Sequence, residues 1–237
     1  MKKMKSYGLI LSAVLFYYSF LFLQGCGNGP SASTDNGDNM AVGFAELTTS
    51  PEQFVPDTTF SITSIKVLVS NVELYQAYNS EYQTVKADPI VINMTPNVGF
   101  QMMGSGVIGN GIYQRIRFQL HQPAADEVVS DNDFKTGSGN SERQSVIIAG
   151  TFHGLPFTYK MHSSAIKELV FPTNVELDLN PLSITVQYSS KRWFRNVSNI
   201  LMDPLDPANS ADIDANITTS LNRAFLDSDH NGSPDTN

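Results

Sequence analysis

The chain has 237 residues, 41% of them hydrophobic and 16% charged, and its formal net charge is −8. This composition excludes disorder throughout the chain and is sufficient for one domain with its own hydrophobic core. The acidic balance argues against nucleic acid as a partner, because a negative surface repels phosphates. The only cysteine is Cys26, so no intramolecular disulfide can form, and stability must come from the burial of apolar side chains.

Residues 1–25 have the organisation of a bacterial export signal. Lysines precede an apolar run at residues 9–23, which is about 15 residues long, whereas a membrane-spanning helix needs roughly 20. The run ends in Leu23-Gln24-Gly25-Cys26, which resembles the lipobox of bacterial lipoproteins. This resemblance implies cleavage between Gly25 and Cys26 and a diacylglycerol on the Cys26 thiol, so that membrane lipid becomes a partner of the chain.

Residues 26–39 are predicted to form a flexible tether, since the stretch after Cys26 contains almost only small and polar residues. Gly27 stands at the position where an Asp commonly signals retention of lipoproteins in the inner membrane. We therefore expect a lipid-anchored protein of the cell envelope. The outer membrane is favoured, with the domain facing the periplasm or the cell surface.

After the tether, apolar and polar residues alternate with a period of two. The alternation is clearest at Ile65–Val69, Val175–Leu179 and Leu182–Tyr188. Such runs are typical of strands in an antiparallel sheet with one face in water. Further strands are predicted at Ile90–Met94, Ile112–Leu120, Gln144–Phe152 and Leu155–Met161.

Two local features of these strands can also be predicted. The apolar phase changes within residues 60–75, which indicates a bulge or bend near Ser70-Asn71. His153-Gly154 separates two apolar runs and occupies the centre of a tight hairpin, where positive φ is required.

Many short strands, connections rich in turn-forming residues and almost no helical period predict an all-β fold, an antiparallel Greek-key β-sandwich over residues 40–190. Residues 191–225 are predicted to be an extension with one short helix. Its apolar stripe would be Ile213, Ile217, Leu221 and Phe225, behind Asp212 as N-cap. Residues 226–237 are predicted to be an acidic tail.

Most motifs of catalytic chemistry are missing from the sequence. Gly104–Gly109 matches the dinucleotide fingerprint, but a strand is predicted directly after it, where the fingerprint requires a helix. The histidines do not form the HExxH pattern of a zinc site, and the GxSxG motif of a serine hydrolase is absent. Trp193 and Phe194 fit either a ligand platform or a plug at the end of the sandwich, and Tyr113 is expected on the polar face of its strand.

One constellation near the C-terminus suggests a metal. Oxygen-bearing side chains stand at alternate positions, and Gly232 permits a tight turn among them. The spacing resembles the first part of an EF-hand-like or thrombospondin-type calcium loop. Calcium and a solvated acidic tail both explain these residues, and the candidate ligands are Asp227, Asp229, Asn231, Ser233 and Asp235.

The chain as a whole resembles a family of bacterial lipoproteins of unknown function, whose domains are similar to prealbumin-like or carboxypeptidase-regulatory-like β-sandwiches. The residues that carry the resemblance, beside the lipobox and tether, are Ile62–Val69, Val72–Tyr75, Gly111–Arg117 and Arg192–Phe194. The resemblance implies the fold and the anchor but no catalytic residue.

Three functions are open at this point. The first is a non-catalytic, lipid-anchored envelope module with a binding or structural role and a protein or glycan partner that the sequence does not identify. The second is a calcium-stabilised surface adhesion or matrix-contact protein. The third is an envelope hydrolase whose site is built from loops.

Overall fold

The computed structural model describes residues 37–47, 59–96, 99–137, 142–178 and 180–235. The predicted signal, its cleavage at Gly25 and the anchor at Cys26 lie outside these residues. The described part contains eleven strands and one α-helix: β1 (Met40–Glu46), β2 (Phe60–Gln76), β3 (Tyr82–Lys86), β4 (Ile90–Met94), β5 (Gln101–Gly106), β6 (Gly111–Leu120), β7 (Val146–Phe152), β8 (Leu155–Met161), β9 (Ala165–Leu177), β10 (Leu182–Tyr188), α1 (Ser210–Ser220) and β11 (Arg223–Leu226).

The strands form two sheets, which confirms the predicted all-β sandwich. The small sheet has the order β11-β10-β1-β5, and the large sheet has the order β8-β7-β2-β6-β9, with β3 and β4 also paired to β2. All pairings are antiparallel except that of β1 with β10, which is parallel and makes the small sheet mixed. The parallel pair joins strands that are far apart in sequence, so no local pattern predicts it.

The long strand β2 organises the large sheet. Its first half pairs with β7 and β4, and its second half pairs with β6 and β3. Between the halves the register against β6 shifts at Ser70–Glu73, and Asn71 has a φ of 52°. The predicted bulge is therefore confirmed, and it lets one strand serve two sets of neighbours.

The predicted hairpin is confirmed as well. β7 and β8 are joined by His153 and Gly154, whose φ values are 49° and 79°. Positive φ at both central residues gives the turn the twist of the flanking strands.

Large aromatic side chains fill the space between the two sheets. The Phe44 ring of β1 meets Phe118 edge-on at 5.8 Å and Tyr188 edge-on at 6.4 Å, the geometry that aromatic quadrupoles favour. Trp193 and Phe194 are also buried in this core, as expected for a plug at the end of the sandwich. The indole N–H of Trp193 donates to Ser220 Oγ at 2.7 Å.

Two details of the predicted helix are wrong. The N-cap is Asn209, whereas Asp212 lies in the first turn. Ile213 and Ile217 are buried as predicted, but the helix ends at Ser220 and Phe225 lies on β11, opposite Thr185 of β10. Pairing with the small sheet therefore decides the conformation there, although the i,i+4 spacing continues past the end of the helix.

The strands β3, β5 and β11 and the first half of β9 were not predicted, and the structure shows why for β5. It lies within residues 96–111, a segment rich in turn-forming residues that predicts a connection. A Cβ on Gly106 would lie 2.9 Å from the carbonyl oxygen of Val85. Glycine there permits a close approach of two strands rather than a turn. Residues 107–110 then lead directly into β6, so the dinucleotide-like motif is not followed by a helix.

Tyr113 is buried instead of lying on the polar face of β6. The register of β6 against β9 shifts between Tyr113 and Arg115, so Tyr113 turns inward and donates its hydroxyl to Gly109 O at 2.6 Å.

Among the described residues, no helix has the length and apolar character required to span a membrane.

Candidate metal centre

Residues 227–235, here called the acidic loop, follow β11 and fold back onto the small sheet. The N–H of Asp227 donates to Ser183 O at 2.9 Å, and the N–H of Asp235 donates to Leu226 O at 2.8 Å. Gln187 of β10 donates its amide to Gly232 O at 3.0 Å. The loop is thus held at its start, its centre and its end.

Three carboxylates of the acidic loop converge. One oxygen atom from each of Asp227, Asp229 and Asp235 can be chosen so that all three lie within 4.8 Å of one another. Asp227 is completely buried, Asp235 is partly buried and Asp229 is exposed. The group is therefore open to water on one side and anchored in the protein on the other.

Asp227 is the central residue of this group because one of its oxygens has no hydrogen-bond partner in the part of the chain that the structure describes. Its Oδ2 accepts hydrogen bonds from Thr185 Oγ1 at 2.8 Å and from the N–H of Gly232 at 3.1 Å. Its Oδ1 is buried and accepts no hydrogen bond from any described residue. A buried carboxylate oxygen in this state is costly unless a cation or a proton compensates it.

The electrostatic surroundings of Asp227 also disfavour the charged form of its carboxyl group. Burial raises the pKa of the Asp227 carboxyl, and the neighbouring Asp229 raises it further, against the lowering by Thr185 and by the backbone N–H groups of Gly232 and Asn231. A divalent cation would remove both costs, because it restores a partner to the buried oxygen and offsets the repulsion between carboxylates.

The sequence of the acidic loop explains its turn geometry. The N–H of Asn231 donates to Asp229 Oδ1 at 3.2 Å, and the N–H of Ser233 donates to Asn231 Oδ1 at 2.8 Å. Between them Gly232 has a φ of 79°, which a residue without a Cβ adopts at little cost. These successive side-chain-to-backbone bonds wind the loop tightly enough to bring positions 227, 229 and 235 together.

The five predicted ligands have different surroundings. The structure brings Asp227, Asp229 and Asp235 together. The amide of Asn231 is engaged within the loop, since its Nδ2 donates to Asp229 Oδ2 at 2.7 Å and its oxygen accepts from Ser233. The N–H of Ser228, which the spacing did not single out, donates to Asp235 Oδ2 at 2.7 Å.

A ring stack between His230 and Phe100 also supports the acidic loop. The rings are 4.0 Å apart and nearly parallel, at 8°. Phe100 in turn lies against Gly43 of β1, where a Cβ would be only 2.5 Å from the ring and 2.6 Å from Gln101 O. Phe100 directly precedes β5, which is the edge strand opposite β11 in the small sheet. The acidic loop therefore has contacts beside both edges of this sheet.

No protein-family model matches the chain, and no curated protein matches it. Among solved structures, MbnP from Methylosinus trichosporium is similar at 12% sequence identity and a TM-score of 0.35, over 62% of this chain and 74% of that protein. A TM-score this low supports no statement about the fold or the function of this chain.

Proposed function

We propose that this chain is a lipid-anchored, non-catalytic β-sandwich module of the cell envelope whose acidic loop binds calcium. The observation that carries the calcium site is the buried Oδ1 of Asp227, which accepts no hydrogen bond from the described residues and belongs to a group of three converging carboxylates. The anchor rests on the sequence Leu23–Cys26 and on the resemblance to bacterial lipoproteins.

Calcium suits the acidic loop better than a softer metal does. The group offers carboxylate oxygens, which hard cations prefer, and calcium accepts irregular arrangements of six to eight oxygens with water among them. Gly232 stands at the sixth position counted from Asp227 and Asp235 at the ninth, as in an EF-hand loop. With few ligands and an exposed Asp229, we expect a dissociation constant of about 10⁻⁴ to 10⁻³ M, which is typical of extracellular modules.

Calcium titration followed by thermal or urea unfolding of the full chain tests the site. For a dissociation constant of 1 mM, 10 mM calcium raises the free energy of unfolding by about 1.4 kcal/mol. Asp227→Asn should abolish this increase, whereas the matched control Asp126→Asn, an exposed acid of another loop, should retain it. An equal response of the two variants would show that calcium acts on the acidic surface in general.

Intact-mass analysis of protein from the native host tests the anchor separately. We expect a chain that begins at residue 26 and carries acyl chains, and we expect Cys26→Ser to release the domain from the membrane fraction. An unmodified Cys26 in the wild-type protein would refute the anchor without bearing on the calcium site.

The adhesion function is the alternative within the same geometry, because it requires calcium at the acidic loop as well. It differs in requiring a surface partner whose binding depends on calcium. Retention of the domain on envelope material in calcium, and its release by a chelator, would favour adhesion over a purely structural role.

A further inference from the structure

A polar cleft lies at the end of the small sheet away from the start of the acidic loop. β1 and β10 run in parallel from Met40 and Leu182 to Glu46 and Tyr188. The acidic loop starts beside Ser183, near the beginning of β10, whereas the cleft is formed by residues that follow the end of β10 and by α1. Its volume is about 440 Å³, and its lining consists of Arg192, Arg195, Asn196, Val197, Asn199 and Asn216.

Asn216 of α1 fixes one wall of the cleft. Its Nδ2 lies within hydrogen-bond distance of three carbonyl oxygens, those of Arg192 at 3.3 Å, Trp193 at 3.1 Å and Arg195 at 2.8 Å. Trp193 is buried and bonded to Ser220 at the end of the same helix. The backbone that carries both arginines is therefore tied to the helix at several points.

Another part of the lining is a short, internally bonded loop. The side chain of Asn196 accepts from the N–H groups of Ser198 and Ile200, each at 3.0 Å. Arg195 Nη1 donates to Asn199 O at 2.9 Å, and Asn199 has a φ of 62°. These bonds make the cleft a preformed feature, as is usual for binding sites of small molecules.

The lining selects a class of ligand. Two guanidinium groups three residues apart suit a carboxylate or phosphate, which arginine binds through paired N–H donors. The amide of Asn199 can both donate to and accept from hydroxyl groups, whereas Asn196, whose oxygen already accepts from Ser198 and Ile200, can donate from its Nδ2. Together with the preceding Lys191, these arginines form a basic cluster at positions 191–195.

We propose that this cleft binds a small anionic ligand rich in hydroxyl groups, which is the chemistry of an acidic sugar. Arg192 and Arg195 hold the carboxylate, and the asparagine amides contact the ring hydroxyls. The cleft does not depend on the acidic loop, so this site goes beyond the proposed calcium function and stands or falls separately from it.

Titration of the ¹⁵N-labelled full chain with sodium glucuronate, followed by NMR chemical shifts, tests the proposal. We expect saturable shifts at the cleft residues, and no saturation with glucose, which lacks the carboxylate. Arg192→Gln and Arg195→Gln should each weaken binding about tenfold or more, because each removes charge-assisted hydrogen bonds. Lys191→Gln removes the same charge from a residue that does not line the cleft, and it should leave the affinity within about twofold.

Asn199→Asp provides a second variant in case an arginine variant does not fold. It keeps the size of the side chain and the backbone carbonyl oxygen to which Arg195 donates. Its added negative charge should also weaken glucuronate binding.

Several results would overturn the proposal. They are equal binding of glucose, equal binding of inorganic phosphate, an equal loss in Lys191→Gln, or no saturable shifts with glucuronate. Binding of phosphatidylglycerol vesicles in place of glucuronate would overturn it as well, because the basic cluster would then be a membrane contact.

Discussion

Asp214 on α1 and Asp227 in the acidic loop are both carboxylates withdrawn from water, yet their surroundings differ in one respect. Asp214 is satisfied at both oxygens, by Tyr159 OH at 2.5 Å and Ser163 Oγ at 3.4 Å. Asp227 is satisfied at only one of its two oxygens by described residues. Burial is the largest cause of a raised pKa in both carboxyls, so burial alone does not separate a structural carboxylate from a candidate ligand. The completeness of the hydrogen bonding does.

The largest effect is expected at Asp214. Tyr159→Phe removes the shorter of its two hydrogen bonds at a buried ring, and a hydrogen bond to a charged group contributes about 1.5–3 kcal/mol to the free energy of unfolding. We expect a loss of about 2 kcal/mol in urea unfolding, equal with and without calcium. Tyr82→Phe, at a ring that is 55% exposed, serves as the control and should change little. A loss that calcium reverses would show that Asp214, and not only Asp227, responds to the metal.

Asp227→Asn should have a smaller effect of opposite sign. Without calcium it removes a buried charge while an amide oxygen remains to accept from Thr185, so the free energy of unfolding should rise by about 1 kcal/mol. In 10 mM calcium the order should reverse, since only the wild type gains from the metal. Asp126→Asn is the control, because its exposed side chain lies in another loop and its loss should change the calcium-free stability by less than about 0.5 kcal/mol. A loss of stability in calcium-free Asp227→Asn would contradict the account of the unpartnered oxygen.

The pH dependence of the free energy of unfolding should also distinguish the wild type from Asp227→Asn. The pKa of Asp227 is raised in the folded state, so the folded protein binds this proton more tightly than the unfolded chain does. As pH falls from 7 through the raised pKa towards the ordinary value of 3.8, the burial cost is relieved and stability rises.

The lowered pKa values of Asp131 and Glu127 act in the opposite direction, so the wild-type curve alone is not diagnostic. The quantity to measure is the difference in stability between calcium-free wild type and Asp227→Asn against pH. We expect this difference to shrink towards zero as pH falls, and a constant difference would show that Asp227 is not the titrating group.

The sequence was informative wherever the cause is local. The bulge at Asn71 and the turn at His153-Gly154 follow from a phase change and from adjacent residues that tolerate positive φ. The convergence of Asp227, Asp229 and Asp235 also has a local cause, because the turns that bring them together are made by residues between them.

The rest depends on contacts between distant segments. Thr185, which donates to Asp227, lies 42 residues from it, and Tyr159 lies 55 residues from Asp214. Neither separation can be read from periodicity or composition. The same limit explains why β11 was assigned to the helix, since its conformation is set by pairing with β10 rather than by its own residues.

The stack of Phe100 on His230 is such a distant contact, and it gives the smallest predicted effect. Phe100→Leu keeps most of the apolar area and loses the aromatic pairing of a partly buried ring, so stability should fall by about 0.5 kcal/mol. The acidic loop would then be held less rigidly, and we expect calcium affinity to fall a few-fold, because the cost of ordering the loop moves into the binding step. Phe152→Leu is the matched control, since its ring also contacts a histidine, His153 at 4.2 Å, in a hairpin outside the acidic loop. A similar loss of stability with unchanged calcium affinity is expected for that variant. Equal losses of calcium affinity in the two variants would show that the Phe100 stack has no specific role in holding the acidic loop. The position of Asp227 would then be set by its hydrogen bonds to Thr185 and Gly232 and not by the stack.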